Sequence, residues 1–72
     1  MKMQYDKKVD ALYIPLRKGK YSHTEKITED ILVDVTKGGK VIGIEILDAS
    51  ENVADFKPDK IDFSLSNLPS TI

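Results

Sequence analysis

Apolar residues fall at every second position in two stretches near the middle of this chain. Ile31, Val33 and Val35 alternate with Leu32, Asp34 and Thr36, and Ile42, Ile44 and Ile46 alternate with Val41, Gly43 and Glu45. A period of two is that of a β-strand with one apolar and one mixed face. Gly38-Gly39 stands between the runs. A two-residue Gly-Gly loop predicts a tight hairpin, because both positions take positive φ. Counting outward from that loop pairs Val35 with Ile42, Val33 with Ile44 and Ile31 with Ile46 on one face. Thr36 then meets Val41, Asp34 meets Gly43 and Leu32 meets Glu45 on the other. A slip of one residue would scatter the six β-branched side chains, so the pattern itself sets this register.

The N-terminal part repeats the logic. Met1, Met3 and Tyr5 alternate with Lys2, Gln4 and Asp6, and Leu12, Ile14 and Leu16 alternate with Ala11, Tyr13 and Pro15. A turn around Lys7-Lys8-Val9-Asp10 pairs Tyr5 with Leu12, Met3 with Ile14 and Met1 with Leu16, leaving Tyr13 on the mixed side. Pro15 has no N–H to give to a ladder, which puts that strand end at an edge or a bulge. Between the hairpins, Arg17 to Asp30 is polar with a turn at Gly19, and residues 21–28 read as a short edge strand or an extended loop.

Beyond Leu47 the period changes. Ala49, Val53 and Phe56 sit at i, i+4 and i+7, and Asp48 and Glu51 have the spacing of a capping box. This predicts a helix of about two turns stopped before Pro58. Ile61, Phe63 and Leu65 alternate with polar residues and predict one more short strand, with residues 67–72 as a loose tail. The expected fold is α+β: a mainly antiparallel sheet of two hairpins, four to five strands, with one short C-terminal helix, in a single domain over residues 1–66.

Four such strands present an apolar face roughly 19 Å by 20 Å, of which a helix of ~8 residues covers about a third. A domain of this size buries only ~60% of the surface of its unfolded chain. The face is therefore expected to close on a second copy or another protein through Ile14, Leu16, Val33, Val35, Ile42 and Ile44, a homodimer being the simplest form.

Composition narrows the function. Hydrophobic residues at 40% and charged residues at 32% are those of a folded globular chain. Eleven Lys and Arg against 12 Asp and Glu leave a net charge of −1, which argues against nucleic acid or a membrane surface as partner. No apolar run reaches the ~18–20 residues of a membrane span, and Met1-Lys2-Met3-Gln4-Tyr5 does not open a signal peptide, so a cytoplasmic protein is expected. With no cysteine there is no disulfide, zinc–thiolate site or thiol chemistry. No motif calls for a cofactor.

The best chemical candidates lie on the mixed face. In the predicted register Asp34 is diagonal to Glu45, near enough for two carboxylates to perturb each other or share a cation. Gly43 stands opposite Asp34, where a strand glycine can mark a close approach by a ligand or another backbone. Asp48 completes the set. The plainer reading makes Asp34 and Glu45 solvated, Asp48 a helix cap, Gly43 a bulge and Asp10 a turn residue. Tyr13 reads either as an interface anchor or as a partly exposed strand tyrosine. His23 falls in a polar segment with no carboxylate at a telling spacing and reads as a surface histidine. Lys7-Lys8 and Arg17-Lys18 are short basic clusters that suit the guarding of sheet edges.

Taken together, Tyr5-Asp6, Asp10-Ala11-Leu12-Tyr13-Ile14, Asp34 and Gly43-Ile44-Glu45-Ile46-Leu47-Asp48-Ala49-Ser50 resemble the YuzE-like family of small prokaryotic proteins. The resemblance covers roughly residues 3–53. It implies a compact sheet domain with no assigned reaction or cofactor. Because some relatives are encoded beside small putative toxins, it also implies an antitoxin-like partner role. Two functions follow as expectations: a self-associating protein–protein interaction module, or a small metal-dependent or acid–base enzyme built on Asp34 and Glu45.

Overall fold

The computed structural model describes residues 2–61. It contains one five-stranded antiparallel sheet: β1 (Gln4–Asp6), β2 (Ala11–Pro15), β3 (His23–Lys26), β4 (Ile31–Val35) and β5 (Val41–Ile46), in the order β1-β2-β5-β4-β3. A one-turn helix α1 (Ala49–Asn52) and a 3-10 turn (Pro58–Lys60) follow. The strand expected at residues 61–65 lies outside the described residues, apart from Ile61, which is not in a strand.

The two hairpins meet through β2 and β5, where Leu12 faces Ile46 and Ile14 faces Ile44. Continuity of the apolar rows explains the pairing. Tyr5, Leu12, Ile46 and Ile31 form one cross-strand row, and Ile14, Ile44, Val33 and Glu25 form the next. A slip of one residue between the hairpins would set each apolar row against a mixed one. Pro15 ends β2 beyond the last residue paired with β1.

The central hairpin corrects the expected loop. Thr36 N–H donates to Lys40 C=O and Gly39 N–H to Thr36 C=O, both at 2.9 Å, so three residues rather than two make the turn. Gly39 takes φ 81°, whereas Gly38 has no positive φ. A three-residue turn shifts the pairing by one, and Val35 faces Val41 instead of Ile42. Left uncorrected, the shift would put Val33 opposite Gly43 and turn the face of β5. A bulge at Ile42 absorbs the extra residue, and Asp34–Gly43, Val33–Ile44, Leu32–Glu45 and Ile31–Ile46 stand in the register that the hydrophobic pattern demands.

The connection from β2 to β3 must cross the ends of β5 and β4. Leu16 and Arg17 N–H groups donate to Ile42 C=O, and Ser22 N–H donates to Val35 C=O. Gly19 lies against Ile42, where a Cβ would come within 2.8 Å of the Ile42 methyl. The expected edge strand is present as β3, all four of its residues exposed.

The expected capping box is not formed. Asp48 adopts a left-handed backbone (φ 48°, ψ 49°) and its side chain makes no cap bond. Asp10 fills that place from the β1–β2 turn. Its C=O accepts Ala49 N–H at 2.9 Å, and its carboxylate accepts Ser50 N–H at 3.2 Å and the Ser50 hydroxyl at 2.7 Å. The helix is one turn, not two, because Val53 is already extended and Asp55 takes φ 49°. Phe56 nonetheless returns to the sheet and meets the Tyr5 ring edge-on at 5.0 Å. A second turn aspartate grips the same segment: Asp30 C=O accepts Leu47 N–H at 2.8 Å, and its carboxylate accepts the Asn52 side chain at 3.1 Å. The hydrophobic side chains that are buried are Leu12, Val35 and Ala49.

Candidate functional site

The mixed face carries the candidate residues in two adjoining rows. Gln4, Tyr13, Glu45, Leu32 and Lys26 form one, and Pro15, Gly43, Asp34 and Thr24 the other. Tyr13, Asp34, Gly43 and Glu45 are thus brought together as the pattern predicts. Asp48 is not; it stands exposed at the start of α1.

Tyr13 organises the group. Its ring lies over Gly43, where a Cβ would overlap the phenol oxygen and its carbon. The close approach that the strand glycine permits is therefore made by an aromatic side chain two residues along the neighbouring strand, an arrangement that shields backbone a glycine leaves bare. From there the Tyr13 phenol lies close enough to the Asp34 carboxylate to feel its charge. Asp34 accepts the Thr24 hydroxyl at 2.7 Å, and Tyr21 and Thr24 hydroxyls share a hydrogen bond of 2.9 Å. The result is a hydrogen-bonded chain Asp34–Thr24–Tyr21 running from β4 to the outer edge of the sheet, with the Tyr13 phenol beside its inner end.

Desolvation, the negative charge of Asp34 with the pull of its carboxylate on the phenol proton, and the charge of Glu45 all push the Tyr13 phenol above its ordinary pKa. A raised tyrosine pKa contributes stability below about pH 10, and that contribution is lost as pH rises through the folded-state value. The stability difference between the wild type and Tyr13→Phe is accordingly expected to be flat at neutral pH and to shrink above about pH 10. Urea titrations at stepped pH check this; a difference unchanged into strong alkali would show that the fold does not favour the protonated Tyr13 phenol.

As chemistry, the group is an acceptor pair flanked by hydroxyls. Among the described residues no three His, Cys, Asp or Glu side chains gather closely enough to hold a metal ion. Asp34 and Glu45 are both part-exposed.

The opposite face carries the expected interface residues. Ile14, Val33, Ile42 and Ile44 are part-exposed although they lie in the sheet's interior strands, and Leu16 is 40% exposed. Val35 is already buried within the single chain and belongs to its core. On β3, Glu25 continues the Ile14–Ile44–Val33 row and His23 faces Val35. Here His23 has the carboxylate partner that its spacing did not suggest, with Nε2 3.2 Å from Glu25 Oε1. In a strand, residues i and i+2 share a face.

Thr24, Tyr21 and the Tyr5–Asp10–Ser50 cluster carry no sequence signal beyond that of a connection or a turn, yet the fold gives each a specific partner. The Tyr5 hydroxyl donates to Asp10 at 2.6 Å. Bonds from Ser50 and Tyr5 hold the Asp10 carboxyl below its usual range, and the bond to Asp10 pushes the Tyr5 phenol up.

The family model that matches this chain is described as a protein of unknown function, DUF2283, and covers residues 2–50. That span holds all five strands and the first two residues of α1, with both ends of the Asp10–Ser50 contact inside it. No curated protein and no solved structure matches the chain.

Proposed function

We propose that this chain, which belongs to the DUF2283 family of proteins of unknown function, is a protein–protein interaction module that self-associates. The observation that carries this reading is the half-exposed state of Ile14, Val33, Ile42 and Ile44 on interior strands of the sheet. Side chains of this kind on central strands normally lie under a second layer. Among the described residues the layer consists of α1, Phe56 and the Leu16–Ser22 crossing. An apolar surface of that kind, bordered by the exposed polar strand β3, matches the anatomy of interfaces, with an apolar centre and a polar rim. No helix among the described residues is long and apolar enough to cross a membrane.

The YuzE-like resemblance extends the reading to the identity of the partner, a small toxin-like protein that the module neutralises by covering it. Size-exclusion chromatography with light scattering tests the self-association. The expected mass at micromolar concentration and above is twice 8.1 kDa. A mass of 8.1 kDa at every concentration tried would remove the self-association from the proposal.

A further inference from the structure

We infer that two copies of this chain join through strand β3, in antiparallel register about a two-fold axis at Thr24, so that their sheets run on as one. The inference rests on the interaction-module reading above: it places self-association at the β3 edge and leaves the apolar face, whose part-exposed residues carry that reading, to a second protein.

The first support is the direction of the backbone groups. Ile27 N–H donates to Ile31 C=O at 2.8 Å, and that pair continues the β3–β4 register by one step. Hydrogen-bonded and non-bonded pairs alternate along an antiparallel ladder. Glu25–Val33 and His23–Val35 are thus bonded pairs, and Thr24–Asp34 and Lys26–Leu32 are not. The N–H and C=O of Thr24 and Lys26 point away from β4, to the open edge. All four residues of β3 are exposed, so none of the described residues covers these groups.

The second support is charge. In an antiparallel pair, directly opposed residues both turn their backbone groups toward each other or both turn them away. A two-fold axis must therefore pass through a residue rather than between two. An axis at Glu25 would set Glu25 against Glu25, and one at Lys26 would set Lys26 against Lys26, both unfavourable. An axis at His23 opposes His23 to itself and leaves Glu25 facing Tyr21. Only the axis at Thr24 opposes unlike groups, with each His23 meeting Glu25 of the second copy. The two intrachain His23–Glu25 contacts, 3.2 Å each, then close into a ring of alternating imidazoles and carboxylates.

The third support is what stands at the strand's ends. Tyr21 and Ile27 are 56% and 60% exposed, among the most exposed large hydrophobic residues of the chain. The register about Thr24 brings the end that carries Tyr21 in one copy to the end that carries Ile27 in the other. The other outer strand, β1, has three residues and no such self-complementary order. Edge joining leaves both apolar faces open and side by side, so the dimer offers a second protein twice the surface of one chain.

Charge exchange tests the register. Glu25→Lys sets an ammonium group against His23 of the second copy and is expected to raise the dimer dissociation constant roughly tenfold. The double variant His23→Glu/Glu25→Lys restores unlike pairing and is expected to return it close to the wild-type value. Both side chains are more than half exposed, so neither change threatens the fold. Cysteine placement gives an independent reading, in a chain that has no cysteine of its own. Thr24→Cys residues would face each other at a Cα separation of ~5.5 Å and cross-link on oxidation, whereas Glu25→Cys residues would sit diagonally at ~7–8 Å and would not. A wild-type dimer that ignores Glu25→Lys, or that cross-links through Glu25→Cys rather than Thr24→Cys, overturns the β3 register while leaving self-association standing. A wild-type monomer overturns self-association itself.

Discussion

Asp10→Ala is expected to lower the melting temperature by roughly 10 °C, about what the loss of a helix cap produces in a domain of this size. One carboxylate accepts from the Tyr5 hydroxyl, Ser50 N–H and the Ser50 hydroxyl, so a single substitution severs the β1–β2 turn from the start of α1. Alanine also loses the ease with which aspartate adopts the φ of 55° found there. Asp10→Asn keeps the size and the tolerance of that backbone, and is expected to fall between the wild type and Asp10→Ala. Hydrogen exchange locates the damage: the Ser50 amide, bonded to the Asp10 side chain, should lose protection while the amides of β4 and β5 keep theirs. A melting temperature unchanged in Asp10→Ala would mean that α1 is held by the Ala49–Asp10 backbone bond, the Asp30 contacts and the Phe56–Tyr5 contact without the carboxylate.

The pH dependence of this effect has a definite sign. The Asp10 pKa is lowered in the fold, first by the Ser50 bond and then by Tyr5. A lowered carboxyl pKa contributes stability that is present above the unfolded value, near 3.9, and is lost as pH falls through the folded value. The gap between the wild type and Asp10→Ala should therefore be full at neutral pH and close on acidification below about pH 4. A gap that widens in acid would contradict an ionised Asp10 as the acceptor.

Gly43→Ala is expected to destabilise the wild type by about 1–3 kcal/mol, the cost of forcing an extra methyl into occupied space. The added Cβ would overlap the Tyr13 ring, which must swing off the sheet and away from Asp34. In a Tyr13→Ala background the same substitution should be neutral or stabilising by up to about 1 kcal/mol, because alanine is the better strand residue once the space is free. The sign change is the informative quantity, and a double-mutant cycle by urea denaturation measures it. Equal costs in both backgrounds would show that Gly43 is required for the strand's own geometry and not for Tyr13.

Most of the mixed-face group is legible in the sequence because a period of two, once paired across one turn, places Asp34, Gly43 and Glu45 by counting alone. Tyr13 is read only as a mixed-side residue of its own hairpin, and the β2–β5 pairing sets it beside them. The predicted loop is one residue too short, yet the pairing of Asp34 with Gly43 survives. Burial of the β-branched rows outweighs the local disruption of a bulge at Ile42, so the error stays confined to Val35 and Thr36, which face Val41 and Lys40 instead of Ile42 and Val41. The helix fares differently. Asp48 and Glu51 have the spacing of a capping box, and spacing cannot reveal that Asp48 takes a left-handed backbone or that a residue 40 positions away supplies the cap. Thr24 and Tyr21 are hidden for a related reason. Their segment lacks alternation, and their place beside Asp34 follows only from the β3–β4 register.

What the sequence determined by itself is thus the local order: which residues form β2, β4 and β5, which face each side chain takes, and which carboxylates share a face. Those are consequences of strand periodicity and tight turns, in which the interacting residues lie within a few positions of a loop. Only the tertiary structure decided that β2 joins β5 and that Asp10 caps α1. These contacts link distant parts of the chain, and their energy depends on which surfaces remain to be buried once the local elements have formed.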